Sequence, residues 1–269
     1  KKLKAIVLQG SYRIPVADEA EVKRLSAKFS KVANFVPPFL NGGGARLLGA
    51  VLRWFPLQMR QDGILYKIFL QKYGTTGLNQ YSIETGDSPI RNWGGTNRDL
   101  PALRSKTVNP DRIREREFVK YHCYSCPVGC GGLTHFQNKT AESHKPEYET
   151  VLALGGLLMN DDLESIFVAN EMLNRAGMDT ISAGGTLAFA LECYENGLIT
   201  QEDTGGLELK WGDSPALLKL LEMIIRREGI GDLLADGSRK AAERIGRGAA
   251  QYAVQAGGSE LAMHDSRKI

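Results

Sequence analysis

Three cysteines fall within residues 123–130, in the run Cys123-Tyr124-Ser125-Cys126-Pro127-Val128-Gly129-Cys130, and no other feature constrains the chain as much. Spacers of two and then three residues let a chain wrap its thiols round one centre. Gly129, Gly131 and Gly132 allow the backbone to come close to such a centre. Only one further cysteine, Cys193, exists in the 269 residues, too few for a disulfide scaffold. Thiolates select zinc or iron–sulfur clusters. Structural zinc sites usually use separated pairs, or a pair with histidines, and His122 and His135 are near enough to supply a fourth ligand. A third cysteine that follows directly is the pattern of an iron–sulfur binder. Free thiols are the remaining reading. Cys193 sits in the apolar helical pattern Leu187–Cys193, where a buried and inert thiol is expected.

Hydrophobic residues make up 42% and charged residues 24%, a globular composition with a real core. The formal charge of +3 speaks against nucleic acid or an anionic membrane as the main partner. The longest apolar run, Val151–Met159, is too short to span a bilayer, and the chain opens on no apolar export signal. The expected location is the cytoplasm. The chain starts Lys1-Lys2 without a Met and stops at Lys268-Ile269 without a tail, so a fragment of a longer protein is expected. The sequence is silent on oligomeric state, and a homodimer stays open.

The periodicity predicts a multi-helical protein with a scrap of sheet at its N-terminus. Ala5-Ile6-Val7-Leu8 reads as a short buried strand. Asp18 caps a helix with an apolar stripe at Val22, Leu25 and Phe29. Pro37-Pro38 to Gly42-Gly43-Gly44 breaks the chain, and 47–55 and 64–73 are apolar segments of open type. Residues 74–110, rich in Gly, Asn, Thr and Pro, read as a long loop or a set of turns with a function. Helices are expected from Asp161 or Asp162 to Gly177, from Thr186 to Asn196, from Ser214-Pro215 to Arg227, and from Arg239 to Ile245.

Three polar groups stand out. Glu147-Tyr148-Glu149-Thr150 precedes the apolar run, where a carboxylate held against apolar surroundings suits proton transfer. The plainer reading is a solvated helix N-terminus. Asn174, Asp179 and Ser182 can hydrogen-bond a ligand or cap the two helices that meet there. His264-Asp265-Ser266-Arg267 packs acid–base residues together, as many surface loops do.

Taken in order, these motifs resemble the catalytic subunit of the aldehyde:ferredoxin oxidoreductase family. The resemblance covers nearly all of the chain. It runs through Leu3–Gly10, Tyr73-Gly74-Thr75-Thr76-Gly77, Gly86-Asp87-Ser88-Pro89-Ile90-Arg91-Asn92-Trp93, the cysteine run, Glu147–Thr150, Asn174–Ser182 and His264–Arg267. It implies a mainly α fold like domains 2 and 3 of that family. Residues 1–14 would end the first, cofactor-base domain, 15–240 would form the helical middle domain, and 241–269 would start the C-terminal helical domain. Cys123, Cys126 and Cys130 would be three ligands of a [4Fe-4S] cluster. Asn174, Gly177, Met178 and Asp179 would contact a tungsten (or molybdenum) bis-pyranopterin, with Asn174 and Met178 replacing the family's Asp and Leu. Glu149 would accept the proton and His264 would be the active-site histidine, with Ser266 replacing the family's Pro. The implied reaction is oxidation of a small aldehyde to a carboxylic acid, with electrons passed to a ferredoxin-like acceptor. The implied partners include the missing domains of the same subunit. Three other readings are a one-cluster electron-transfer module, a zinc-stapled interaction domain, and a relative acting on an aromatic acyl thioester.

Overall fold

Asp18 accepts a hydrogen bond from Glu21 N at 2.9 Å, and α1 (Glu19–Ala33) follows from that cap. The computed structural model describes residues 6–12, 14–33, 41–54, 63–100, 108–124, 126 and 128–268. The apolar stripe of α1 is not a core face, since Val22 and Phe29 are exposed. The N-terminal strand is not formed either. Ile6, Val7 and Leu8 are exposed and belong to no regular element, and Ala5 lies outside the described residues. Neither described sheet takes this segment in as a partner.

The Gly42–Gly44 run, expected as a break, opens α2 (Gly42–Trp54). Its first amides are satisfied from outside the helix. Gly42 N donates to Asp111 Oδ2 at 3.0 Å and Gly44 N to Asn41 Oδ1 at 2.7 Å. Pro37-Pro38 and Phe55 lie outside the described residues. The segment 64–73 is helical, as α3 (Gly63–Tyr73). The stretch expected as loop then begins with a 3-10 turn (Gly74–Leu78) and α4 (Asn79–Thr85), which stops at Gly86 in the left-handed region, φ 84°. Turns follow to Leu100, and α5 (Pro110–Arg114) is capped by Asn109.

A small antiparallel sheet was not anticipated from the sequence. It has the order β1 (Glu117–Tyr121), β2 (Gly131–Phe136), β3 (Ala141–His144), and the cysteine run is the β1–β2 connection. Tyr121 pairs with Gly131 and Lys120 with Gly132. These two glycines make room for side chains of β1. A Cβ on Gly131 would lie 2.3 Å from the Tyr121 ring, and one on Gly132 would lie 2.5 Å from Glu117 Oε2.

The core gathers on α6 (Tyr148–Leu154) and the turn Gly156–Leu158, whose Val151, Leu152, Ala153 and Leu157 are fully buried. Packed round them are α7 (Leu163–Ala176), α8 (Thr180–Glu195), α9 (Ser214–Arg226), α10 (Ile230–Leu234) and α11 (Ser238–Ile245). A two-stranded hairpin, β4 (Gln255–Ala256) and β5 (Ser259–Glu260), leads to the last segment, and Met263 joins the same core. Asp162 caps α7 and Gly177 ends it, as expected. By contrast, α8 starts at Thr180 rather than Thr186, because Asp179 Oδ2 accepts from Ser182 N at 2.7 Å. The cap of α9 is Asp213, one residue before the Ser214 expected.

Helices α6 and α8 touch at backbone level. A Cβ on Gly184 would lie 2.7 Å from the Ala153 carbonyl oxygen and 2.8 Å from its Cβ. Gly184→Ala therefore forces the helices apart and costs about 1–3 kcal/mol. In calorimetry Tm falls by about 2–4 °C for each kcal/mol. An unchanged Tm would contradict this close approach.

Candidate active site

Glu149 lies in the first turn of α6, and His264 lies in the loop after β5. The fold brings them together, with His264 Nε2 3.5 Å from Glu149 Oε1. Met263 N donates to the other oxygen, Glu149 Oε2, at 2.7 Å and aims the carboxylate. The opposite ring nitrogen, Nδ1, is 2.9 Å from Asp87 Oδ2. The Tyr148 ring stacks on the imidazole, with centroids 5.1 Å apart and planes at 18°. Its hydroxyl is 2.5 Å from Ser82 Oγ, 3.2 Å from the Met263 carbonyl oxygen and 3.3 Å from Asp87 Oδ2. Burial, with the charges of Asp87 and Glu149 nearby, pushes the Tyr148 hydroxyl far above the usual phenol range, so it stays protonated.

The His264 segment is pinned at several points. Asp265 N donates to the Asp87 carbonyl oxygen at 2.5 Å, and Arg267 Nη2 donates to Asp265 Oδ2 at 2.5 Å and to the Trp93 carbonyl oxygen at 2.8 Å. The sequence pattern does not mark Asp87, Ser82 or Tyr148 as site residues. The available signal was the Gly86-Asp87-Ser88-Pro89 turn in a segment read as functional.

The start of α6 is also joined to the cysteine loop. Glu147 offers no side-chain cap to α6, and Thr75 supplies one from outside, its Oγ1 accepting from Tyr148 N at 2.8 Å and donating to Glu147 Oε2. The preceding Gly74, at φ 70°, packs so closely on the cysteine loop that a Cβ would lie 2.5 Å from the Cys130 carbonyl oxygen. Cys123 is exposed, and Cys126 and Cys130 are half-buried. The backbone N–H groups of Gly129 and Val128 hold the Cys126 thiol below its ordinary pKa, the second with Val128 N 3.4 Å from Sγ. Such N–H donors favour the thiolate that a metal or cluster needs. Among the described residues, no three His, Cys, Asp or Glu side chains are gathered closely enough to hold a metal ion. The donor set nevertheless fits an iron–sulfur group in its chemistry.

The two candidate zinc histidines have other partners. His122 Nδ1 is 3.1 Å from the Cys126 carbonyl oxygen, and His135 stacks on Phe118 at 4.0 Å. Cys193 is fully buried in α8, and burial pushes its thiol up to about 12, as expected of an inert residue.

Asn174 lies in the last turn of α7, and Gly177, Met178 and Asp179 form the turn between α7 and α8. Asn174, Gly177 and Asp179 are exposed, and Met178 is half-buried against the core. Asp179 caps α8 with Oδ2. The turn adjoins the acidic motif through a 2.8 Å hydrogen bond between the Thr150 and Thr180 hydroxyls. An exposed acceptor-rich turn beside Glu149 fits a polar cofactor face.

The family model described as aldehyde ferredoxin oxidoreductase, domains 2 & 3, matches residues 52–269. The chain belongs to this family. The tungsten-containing aldehyde ferredoxin oxidoreductase of Pyrococcus furiosus is 35% identical over 254 residues, covering 91% of this chain and 36% of the relative. That of Thermococcus kodakarensis is 33% identical over 275 residues, covering 99% of this chain and 39% of the relative. A relative described as an aliphatic sulfonate oxidoreductase, WOR-like subunit, from Pyrococcus furiosus is 29% identical over 279 residues, with 99% and 39% covered. The chain thus spans well under half the length of these relatives. Among solved structures, the active site complex BamBC of benzoyl coenzyme A reductase with 1,5-dienoyl-CoA aligns with a TM-score of 0.58 and 26% identity, over 67% of this chain and 27% of that one. The mainly α fold is that of a helical part of the aldehyde ferredoxin oxidoreductase family, and no described helix is long and apolar enough to cross a membrane.

Proposed function

We propose that the chain is the middle part of the catalytic subunit of a tungsten (or molybdenum) pterin, [4Fe-4S] oxidoreductase that oxidises aldehydes to carboxylic acids. In this reading residues 1–14 close the first domain, 15–240 form the middle domain and 241–269 open the C-terminal one. The observation that carries it is the meeting of Glu149 with His264 on a helix start that Thr75 ties to the cysteine loop.

An aldehyde and water give a carboxylic acid, two electrons and two protons. The chemistry supplied by the bound groups is a two-electron oxidation at the pterin-held metal and one-electron exit from the cluster. Cys123, Cys126 and Cys130 would hold the cluster, with a fourth ligand from outside this chain's cysteines. Asn174, Gly177, Met178 and Asp179 would face the pterin. Glu149 takes the proton of the attacking water or hydrate, and His264 stands beside it as the second acid–base group. Electrons leave to a ferredoxin-like acceptor, which goes with a cytoplasmic location.

The test is the full-length subunit purified without oxygen, read by elemental analysis, EPR and aldehyde-dependent reduction of an acceptor. About four iron and four sulfide per chain, with tungsten or molybdenum, are expected. Cys126→Ser should lose the cluster signal. Iron without a pterin metal would favour a one-cluster electron-transfer module, and zinc without iron would overturn the redox reading. The likeness to the benzoyl-CoA reductase complex favours a second reading, action on an aromatic acyl thioester. Turnover of benzoyl-CoA with a low-potential donor, and none with aldehydes, would establish it.

A further inference from the structure

We infer that Asp87 is a positioning residue that fixes the tautomer and orientation of His264, so that His264 and Glu149 share a single proton. This rests on the reading that Glu149 and His264 handle protons in the reaction. A carboxylate can only accept, so Nδ1, 2.9 Å from Asp87 Oδ2, carries the hydrogen. In the neutral ring the lone pair is then on Nε2, which faces Glu149 Oε1 at 3.5 Å. Two lone pairs repel, so one proton belongs between them. The pair is either a carboxylic acid beside an imidazole or a carboxylate beside an imidazolium. The proton that Glu149 takes from water is the one the pair then shares with Nε2, and in its imidazolium form the ring lies between two carboxylates.

The surroundings hold this arrangement in place. Met263 N occupies Glu149 Oε2 at 2.7 Å, which leaves Oε1 for the histidine. Ser82 Oγ donates to Asp87 Oδ2 at 2.9 Å, and the Tyr148 ring covers one face of the imidazole. Among the described residues, the titratable groups touching the ring are Asp87, Glu149 and Tyr148. Next along its own segment Asp265 is neutralised by Arg267, 2.5 Å away. Carboxylates that orient a metal-bound histidine matter about 10–100-fold, and an effect of the same order is expected for this one.

Two measurements test the inference. The first is turnover of the full-length, cofactor-loaded enzyme with Asp87→Asn and Asp87→Glu. Asp87→Asn is expected to lower kcat about 10–100-fold, with KM and metal content near wild type and an altered pH dependence of kcat. Asp87→Glu, which keeps a carboxylate, should recover part of the loss. Unchanged kcat and pH profile in Asp87→Asn, with His264→Gln inactive, would overturn the role of Asp87 alone. An active His264→Gln would instead sink the proton-handling reading on which it rests. The second measurement needs no cofactor and no Asp87 variant. Ring-nitrogen NMR of the full-length apo subunit, labelled at histidine and assigned with His264→Gln, should show a hydrogen on Nδ1 of His264, alone in the imidazole form or with a second on Nε2 in the imidazolium form. A ring whose only hydrogen is on Nε2 would overturn the inference.

Discussion

Glu149→Gln lowers kcat by about 10²–10⁴-fold in the assembled subunit while iron and pterin metal stay bound. The amide has the same shape, and its oxygen still accepts from Met263 N, the 2.7 Å contact that fixes the side chain. It cannot take up a proton from water or pass one to Nε2 of His264. Glu149 is only partly buried and packs no core, so folding is untouched. Metal analysis beside steady-state kinetics checks this. Turnover near wild type, with metals bound, would remove Glu149 from proton transfer and leave His264 to be reconsidered.

The largest loss of stability is expected at Glu117→Gln. Lys145 is buried to 1% side-chain exposure and its ammonium lies 2.5 Å from Glu117 Oε2, itself buried to 6%. Lys120 adds a second cation 3.4 Å from the other oxygen. Removing the anion leaves a buried ammonium without its counter-charge, at a cost of about 3–5 kcal/mol. The lysine also lies against Gly74, which packs on the Cys130 carbonyl, so the same change loosens the cysteine loop. Urea unfolding should show a much lower midpoint for Glu117→Gln and a partial return when Lys145→Met is added. A midpoint equal to wild type would mean that the pair is solvated and contributes little.

What the sequence made legible was local. Helix α7 could be read because Asp162 and Gly177, its cap and its stop, are both short-range signals. α11 likewise stops at Gly246. The small sheet was hidden for the opposite reason. Its strands are short, β2 opens with two glycines, and β1 carries a register shift between Glu117 and Val119, so no alternation survives. The Val22, Leu25 and Phe29 stripe shows that helical periodicity predicts a helix without saying what covers it. Glu149 and His264 could be named because they lie in recognisable motifs. Asp87 could not be, because its partners Ser82, Tyr148 and His264 come from three separate parts of the fold.

The way Met263, His264 and Asp265 clamp onto Glu149 and Asp87 bears on the timing of synthesis. Translation delivers both carboxylates long before the segment that satisfies them. Until Met263 and the residues after it leave the ribosome, Glu149 lacks the Met263 N donor and Asp87 lacks His264 Nδ1 and Asp265 N. Contacts this distant in sequence must first meet the entropy of closing a long loop, so they form after the helices around them. The segment 263–267 thus acts as a late latch. A nascent or proteolytically clipped chain that lacks it holds only half of the acid–base pair.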